Sequence, residues 1–378
     1  MKIPFIEYHL IRLLNLFDQQ TLSLGLFLNQ YFRKHKQLGS KDRRYIADII
    51  YEMWRWQSLI DYLIDGLPSW EKRYAYLKTT FQPSDYLPID TIPIHIRLSL
   101  PKELFALLVQ DYGEKKAIEL CQVFNTKAPI FVRINPIKIT REALIKRWAG
   151  FNAVCCRHSP LGIKFKDRVP LIALSEFKQG LFEMQDEGSQ CVAQLMDIRP
   201  GQQVLDYCAG SGGKTLAFAF QMKNEGTIYL HDIRLYMLNR AKKRLKRMGI
   251  KNVQFLHSKH PDLPHLKKKM DWILVDVPCT GTGTLRRNPD QKWKFSTCLL
   301  NKLIKKQRDI FKEALSFLKP EGHIIYATCS ILRSENQKQA AYFRKTHHLK
   351  ICGKPFLSKP SYGEMDGFFA ICFKKNST

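Results

Sequence analysis

The sequence predicts an α/β fold. A doubly wound parallel sheet of the Rossmann type occupies the second half of the chain, preceded by a helical domain and a small α/β segment. The main observation is that apolar runs of strand length alternate with amphipathic helices from about residue 183 onward. Strands that are apolar along their whole length lie between helix layers in a parallel sheet. A second observation is a glycine-rich turn after the first of these strands, where doubly wound folds bind their ligands.

The elements of this second half, residues 181–378, alternate between strand and helix. Strands are predicted at 203–208, 227–232, 252–257, 271–277, 323–328 and 368–373. Helices are predicted near 187–197, 214–222, 234–248 and 301–318. Because the strands of such a sheet run parallel, their carboxyl ends meet at one edge, and we expect the functional residues there.

The first half of the chain is predicted to be mainly helical. Apolar residues recur at helical spacing within residues 1–70, and Ser40 can cap a helix there. Closely spaced prolines predict that residues 71–100 form a linker. Residues 101–180 predict a small α/β segment that includes one helix over 102–125.

The charge balance of the chain is strongly basic. Sixty-one Lys and Arg residues against 34 Asp and Glu residues give a formal net charge of +27. Such an excess favours a polyanionic partner, and nucleic acid is the leading candidate, although a solvated basic surface is the alternative.

The remaining composition argues against a membrane or metal protein. The chain contains no run of about 18 uncharged apolar residues, so no membrane span is predicted. The N-terminus lacks the basic start and the small-residue cleavage site of a signal peptide. The ten cysteines show no Cys-x-x-Cys pair and no zinc-ligand spacing, so we expect reduced thiols, a cytoplasmic protein and no metal.

The glycine-rich turn reads Cys-Ala-Gly-Ser-Gly-Gly-Lys-Thr over residues 208–215. A phosphate-binding Walker A loop requires glycine at the place of Cys208, and a dinucleotide fingerprint requires glycine at the place of Thr215. Both phosphate readings therefore lack one required glycine. S-adenosylmethionine carries no phosphate and needs an acid for its ribose. Asp232, at the end of the next strand, is either that acid or a helix N-cap.

Two cysteines follow two strands of the predicted sheet. Cys279 follows the strand at 271–277, and Cys329 follows the strand at 323–328. The parallel arrangement brings both thiols and Asp276 to one crevice. A thiolate that adds to carbon 6 of cytosine makes carbon 5 nucleophilic toward a methyl group, and Asp276 can hydrogen-bond the edge of the base.

Nucleic-acid contacts are predicted at Arg286 and Arg287, which follow the cysteine turn and can reach a phosphate backbone. The target base must leave its stack, because carbon 6 is shielded inside a helix. Trp293 either stacks on that base or belongs to a core.

Five sequence blocks resemble the RsmB/NOL1/NOP2/Sun family of RNA cytosine-5 methyltransferases. The blocks are QDEGSQ, LDYCAGSGGKT, DWILVDVPCTGTGTLRRNPDQKW, YATCSILRSENQ and DGFFAICFKK. The N-terminal LGSKDRRYIADIIYEMWR resembles a shortened NusB-like RNA-binding domain of the bacterial rRNA members. The resemblance implies an RRM-like segment over 101–180 and a Rossmann-like class I methyltransferase domain. It also implies S-adenosylmethionine as cofactor and RNA, rRNA above all, as substrate.

The resemblance also implies roles for single residues. Cys329 would be the nucleophile and Cys279 would help release the product, with Asp276 and Lys214 as further catalytic residues. The cofactor would contact Cys208, Ala209, Gly210, Ser211, Gly212, Gly213, Lys214, Asp232, Ser258 and Asp276.

The chain departs from the family pattern at two places. Gly210 and Ser211 replace the Ala and Pro of the usual C-A-A-P-G-G-K loop, and Ser258 stands where the family often has Asp. Two alternatives therefore stay open beside an rRNA enzyme. One is a tRNA cytosine-5 methyltransferase, and the other is a catalytically decayed RNA-binding protein of ribosome assembly.

Overall fold

The computed structural model of the protein describes residues 4–18, 22–79, 81–258 and 260–375. The chain divides into two compact units. The helical unit comprises Met1–Lys127 and Thr284–Leu299, and the α/β unit comprises Ala128–Gly283 and Leu300–Thr378. No helix in the described ranges combines the length and the apolar character needed to cross a membrane.

Among the residues that the structure describes, eight helices of the helical unit precede the first strand. They are α1 (Phe5–Phe17), α2 (Leu24–Lys34), α3 (Ser40–Leu63), α4 (Trp70–Leu77), α5 (Pro83–Tyr86), α6 (Ile94–Arg97), α7 (Lys102–Tyr112) and α8 (Glu114–Phe124). Apolar residues at helical spacing on α1, α2 and α3 form its main core, which includes Leu10, Leu14, Ile46 and Ile50.

The helical unit differs from the prediction in three respects. Gly39 rather than Ser40 caps α3, and its backbone N–H donates to the Asp42 carboxylate at 2.9 Å. The predicted linker over 71–100 contains short helices, because prolines fit the first turn of a helix. The predicted single helix over 102–125 is two helices, since Gly113 adopts φ +78°.

Contacts of Lys292 link three segments of this unit, two of which lie beyond residue 70. Its buried ammonium donates to the carbonyls of Arg55 and Ser99 at 2.6 and 2.7 Å, and to Asn125 Oδ1 at 2.8 Å. Burial, assisted by the neighbouring Arg55, holds the pKa of Lys292 well below its usual value. Arg55 belongs to α3, and Ser99 lies near the end of the predicted linker over 71–100. Asn125 lies at the end of the helix predicted over 102–125.

The α/β unit contains a small sheet and a large sheet. The small sheet is antiparallel with the strand order β2-β3-β1-β4, formed by β1 (Ile130–Ile134), β2 (Ala153–Cys155), β3 (Gly162–Phe165) and β4 (Phe182–Met184). The large sheet has the order β10-β11-β9-β8-β5-β6-β7. Its strands are β5 (Gln203–Asp206), β6 (Thr227–His231), β7 (Val253–Leu256), β8 (Met270–Asp276), β9 (Leu318–Thr328), β10 (Leu349–Leu357) and β11 (Phe369–Lys375).

Helices cover these sheets. They are α9 (Arg141–Arg147), α10 (Ser175–Lys178), α11 (Glu187–Gln194), α12 (Gly213–Phe218), α13 (Leu235–Met248), α14 (Thr297–Leu315) and α15 (Gln337–Thr346). Alternate residues of the central strands enter two apolar layers: Val204 and Leu274 pack on one face of the sheet, and Leu205 and Ile273 on the other. The predicted α/β fold is therefore confirmed.

The large sheet is not wholly parallel, and this part of the prediction is wrong. Strands β5 to β9 pair in parallel, but β11 pairs antiparallel with β9, and β10 pairs antiparallel with β11. The sequence analysis missed β10 because this edge strand is largely exposed and carries Lys350 and Lys354 among its apolar residues.

Candidate active site

A cavity of about 600 Å³ lies at the carboxyl ends of β5, β6 and β8. Most of the predicted cofactor residues line it, namely Cys208, Ala209, Gly210, Ser211, Gly213, Lys214, Asp232, Ser258 and Asp276. Parallel strands and the turns that follow them bring these residues together, as the topology requires. Ser258 is exposed and lies at the cavity wall.

Gly212 differs from the other residues of the turn, because it is not part of the cavity lining. It adopts φ +74°, and a Cβ atom at this place would lie 3.2 Å from Cβ of Ala241 on α13. Gly210 also has a positive φ, +53°. Gly212 thus allows the turn to form, because glycine tolerates the positive φ and has no Cβ atom that would crowd α13.

Asp232 lies at the cavity wall and is almost fully buried. Its carboxylate accepts hydrogen bonds from the backbone N–H groups of Gly210 and Arg234, at 2.8 and 2.9 Å, and from the Arg234 guanidinium. Burial acts to raise the pKa of Asp232, but the hydrogen bonds and charge of Arg234 outweigh it and hold that pKa below its usual value. Since α13 begins at Leu235 and Arg234 precedes it as the N-cap, the N-cap alternative for Asp232 is wrong.

Two further acids surround Lys214 at the end of the turn. Lys214 Nζ lies 2.5 Å from Asp276 Oδ2, and Asp276 together with its hydrogen bond raises the pKa of Lys214 although burial opposes this. Asp206, at the end of β5, accepts a 2.6 Å hydrogen bond from the Thr215 hydroxyl. Burial raises the pKa of Asp206 to about 7. The sequence analysis missed Asp206, whose signal is an acid at a strand end directly before the glycine-rich turn.

The two predicted catalytic cysteines face each other. Cys279 Sγ lies 3.4 Å from Cys329 Sγ, and both side chains are partly exposed. The hydrogen bond between the two thiols, together with burial, raises the pKa of Cys279 well above its usual value. The two sulfurs are therefore in contact with each other, although neither cysteine is among the residues that line the cavity.

Buried polar residues hold the two cysteine turns, and the sequence analysis did not identify them. Glu335 accepts hydrogen bonds from the Thr280 backbone N–H at 3.0 Å and from the Gln307 amide at 2.9 Å. Asn336 accepts from the Thr328 hydroxyl at 2.6 Å and donates to the Ser330 carbonyl at 2.8 Å. The neighbours of both cysteines are thereby anchored. The sequence signal for Glu335 and Asn336 was the adjacent Glu-Asn pair in the block YATCSILRSENQ.

The predicted RNA contacts are corrected in one case. Arg286 is only 2% exposed, and Arg55 Nη2 donates to its carbonyl at 3.3 Å. Its side chain is buried and cannot meet a ligand in this conformation, whereas Arg287 is half-buried. Trp293 Nε1 donates to the Trp54 carbonyl at 2.8 Å, and its ring packs on the helical core, as the core alternative predicted. Over the described ranges, no cluster of three or more His, Cys, Asp or Glu residues could hold a metal ion.

Comparisons with known proteins identify the family of this chain. The family model of the 16S rRNA methyltransferase RsmB/F matches residues 193–369, and that of the ferredoxin-like domain of RsmF/B-like methyltransferases matches residues 100–171. The ribosomal RNA small subunit methyltransferase B of Proteus mirabilis (strain HI4320) is 31% identical over 320 residues, covering 83% of this chain and 72% of that relative. The chain belongs to the RsmB/F family of 16S rRNA methyltransferases.

Other members and solved structures add two facts about this RsmB/F family chain. A probable ribosomal RNA small subunit methyltransferase B of Synechocystis sp. is 29% identical over 277 residues, covering 72% of this chain but 62% of the relative. This chain thus matches about three fifths of the length of that relative. The crystal structure of PH0851 has a TM-score of 0.81 and 24% identity, covers 99% of this chain and 100% of its own, and shows the shared fold.

Membership of the RsmB/F family confirms the resemblance drawn from the sequence blocks. The ferredoxin-like match agrees with the predicted small α/β segment and with the four-stranded sheet. Its first part, however, comprises α7 and α8, which belong to the helical unit. The NusB-like character of residues 1–70 stays a prediction.

Proposed function

We propose that this RsmB/F family member transfers a methyl group from S-adenosylmethionine to carbon 5 of a cytosine in RNA, with rRNA as the preferred substrate. The observation that carries the proposal is the 3.4 Å separation of Cys279 Sγ and Cys329 Sγ beside the cavity wall formed by Asp276 and Pro278. A single thiol at a strand end is an ordinary packing residue, whereas two facing thiols suit covalent catalysis on a flat base.

The cavity fits S-adenosylmethionine in size and in the chemistry of its walls. Asp232 is ionised, and it can accept hydrogen bonds from the two ribose hydroxyls when the half-exposed Arg234 guanidinium turns away from its carboxylate. The glycine turn offers backbone groups to the methionine part, and the carboxyl groups of Asp206 and Asp276 lie on the same wall. When bound, the cofactor supplies an electrophilic methyl group on a sulfonium.

The two cysteines have different roles in the reaction of the base. Cys329 Sγ, as the thiolate, forms a bond to carbon 6, and the electron pair of the 5,6 double bond makes carbon 5 nucleophilic. Cys279 keeps its proton in the free protein, because its pKa is raised, and can direct that proton toward Cys329 Sγ. A hydrogen bond of this kind favours the thiolate over the thiol.

Release of the product reverses the charge state of the pair. Once Cys329 is bound to carbon 6 as a neutral thioether, the anion beside Cys279 is gone and the pKa of Cys279 falls. Cys279 can then lose its own proton to solvent, and the resulting thiolate takes the proton from carbon 5. The electron pair of that C–H bond restores the 5,6 double bond and expels the Cys329 thiolate. We therefore propose Cys329 as the nucleophile and Cys279 as the release residue.

The proposal is tested by incubating the full chain with methyl-labelled S-adenosylmethionine and separate pools of unmodified 16S rRNA and tRNA. The RNA is then digested to nucleosides and 5-methylcytidine is measured by mass spectrometry. Label in 5-methylcytidine of rRNA supports the proposal, and label restricted to tRNA identifies the tRNA alternative. Binding of rRNA without any methylation of either pool or of assembled small subunits would identify the decayed RNA-binding protein.

Cofactor affinity should depend on pH through Asp206. This carboxyl has a pKa of about 7, so it loses its proton between about pH 6 and pH 8. The ionised form attracts the sulfonium, and the affinity for S-adenosylmethionine should rise about three- to tenfold over this range. S-adenosylhomocysteine lacks the sulfonium charge and should show a smaller rise.

Isothermal titration calorimetry of both ligands at several pH values measures this dependence. Asp206→Asn retains the shape of the side chain but cannot ionise, so its affinity for S-adenosylmethionine should be nearly constant with pH. An unchanged rise in the variant would assign the pH dependence to another group.

A further inference from the structure

The small sheet sends two polar side chains toward the glycine turn of the cofactor cavity. Residues alternate between the two faces of a strand, so Phe182 of β4 enters the apolar core of the small sheet and Glu183 points to the opposite side. Glu183 is buried and accepts hydrogen bonds from the guanidinium groups of Arg244, at 2.6 Å, and Arg247. Gln185, two residues after Glu183, follows the same direction.

Arg244 joins this carboxylate to the turn. While its Nε donates to Glu183, its Nη1 donates to the Ser211 carbonyl at 2.8 Å and to the Ser211 hydroxyl at 2.7 Å. Ser211 itself lines the cavity. One planar guanidinium, held in a fixed orientation by a buried acid, therefore fixes both the backbone and the side chain of the turn.

A second contact from the same sheet holds the other end of the turn. The Gln185 amide donates to the Gly213 carbonyl at 3.3 Å and to the Ser189 hydroxyl at 3.2 Å. Gln185 is oriented in turn by the buried Arg133 of β1, whose Nε donates to its amide oxygen at 2.8 Å. The small sheet and the residue that follows β4 are thus linked to the turn at two places, directly through Gln185 and indirectly through Glu183 and Arg244.

The turn needs such external contacts. It contains three glycines, of which Gly210 and Gly212 have positive φ angles. Glycine has more backbone conformations to lose than any other residue, so an isolated turn of this composition would rarely adopt the binding conformation. The conformational cost is paid before the ligand arrives when neighbouring groups hold the turn in place.

We propose that Arg244, oriented by Glu183, is a positioning residue that sets the affinity of the glycine turn for S-adenosylmethionine. This inference rests on the proposed function, because it assumes that the cavity binds this cofactor. It gives the small sheet a role in cofactor binding through contacts within the α/β unit. Arg244 does not line the cavity itself, so its effect is indirect.

Arg247 provides a matched control. It lies three residues further along α13, binds the same Glu183 carboxylate, and stacks on Phe177 with its guanidinium carbon 3.8 Å from the ring centroid. Among the described residues, Arg247 donates no hydrogen bond to the turn, whereas Arg244 donates two. Arg247→Gln therefore removes an equivalent ion pair without releasing the turn.

The experiment compares the wild-type chain with its variants Arg244→Gln, Arg247→Gln and Ser211→Ala. Affinity for S-adenosylhomocysteine is measured by calorimetry, and KM for S-adenosylmethionine and kcat are measured with rRNA. Arg244→Gln should weaken affinity and raise KM about tenfold, with kcat at saturation within about twofold of wild type. Ser211→Ala, which keeps the carbonyl contact, should weaken affinity about threefold. Arg247→Gln should leave affinity within about twofold.

Thermal unfolding midpoints of the four proteins separate positioning from general destabilisation. Similar midpoints for the two arginine variants, with a loss of affinity in Arg244→Gln alone, support the proposal. Equal affinity of Arg244→Gln and wild type overturns it, as does an equal loss in both arginine variants. If Arg244→Gln does not fold, the Ser211→Ala affinity decides, and a value equal to wild type overturns the proposal. A wild-type protein that binds neither cofactor form would overturn the proposed function itself.

Discussion

Replacing Cys329 with alanine should abolish methyl transfer, with a loss of roughly 10⁴-fold or more in kcat. Without Sγ at this position no bond to carbon 6 can form, and carbon 5 of cytosine stays a poor nucleophile. The thiol is partly exposed and its neighbours are anchored by Asn336, so the substitution removes chemistry with little effect on packing. The measurement is 5-methylcytidine formed in rRNA under single-turnover conditions.

Cys352→Ala is the matched control for this prediction. Cys352 is also a partly exposed cysteine of the α/β unit, but it lies on the edge strand β10 rather than beside the cofactor cavity. Its replacement should leave the rate within about twofold of wild type, since exposed substitutions away from special features have small effects. Substantial methylation by the Cys329→Ala variant would overturn its assignment as nucleophile.

Replacing Cys279 with alanine should trap a covalent protein–RNA adduct. Attack by Cys329 remains possible, but the group that takes the proton from carbon 5 is missing, so the thioether cannot be expelled. We expect turnover to fall by about 10² to 10⁴-fold and a large share of the protein to migrate as an RNA adduct on denaturing gels. Reaction with S-adenosylmethionine and labelled rRNA, followed by nuclease digestion, identifies the attached nucleotide.

The double variant Cys279→Ala, Cys329→Ala distinguishes the two roles. It should form no adduct, because the proposed nucleophile is absent. If an adduct instead accumulates in Cys329→Ala and disappears in Cys279→Ala, the two roles are exchanged. Because the two sulfurs lie only 3.4 Å apart, either thiol would reach the same part of a bound base, and only this comparison decides between the two proposed assignments.

The candidate site was predictable to a large degree because it depends on local signals at strand ends. An apolar strand followed by Cys279 and another followed by Cys329 converge in any parallel sheet in which the two strands are neighbours. The glycine turn and Asp232 follow from the same rule. For Asp232, only the position of the α13 N-terminus excluded the N-cap alternative.

The residues that were missed depend on partners far away in the sequence. Glu335 anchors Thr280 across 55 residues, and Arg244 reaches Glu183 across 61 residues. Local patterns contain no information on such pairs, because a buried charge is stabilised by whatever partner the fold supplies. Arg286 shows the reverse case: its place directly after the cysteine turn predicted a contact with RNA, but its side chain is buried.

The amino-acid sequence by itself determined the α/β fold class and the succession of the apolar strands along the chain. It also determined that the two thiols and the glycine turn lie at one edge of the sheet. It did so because hydrophobic periodicity and turn chemistry act over a few residues. Only the tertiary structure decided the distance between the sulfurs, the antiparallel strands β10 and β11, and the extent of the helical unit. The Glu183–Arg244–Ser211 contacts belong to this second group, since they arise from side chains that meet only when separate elements pack together.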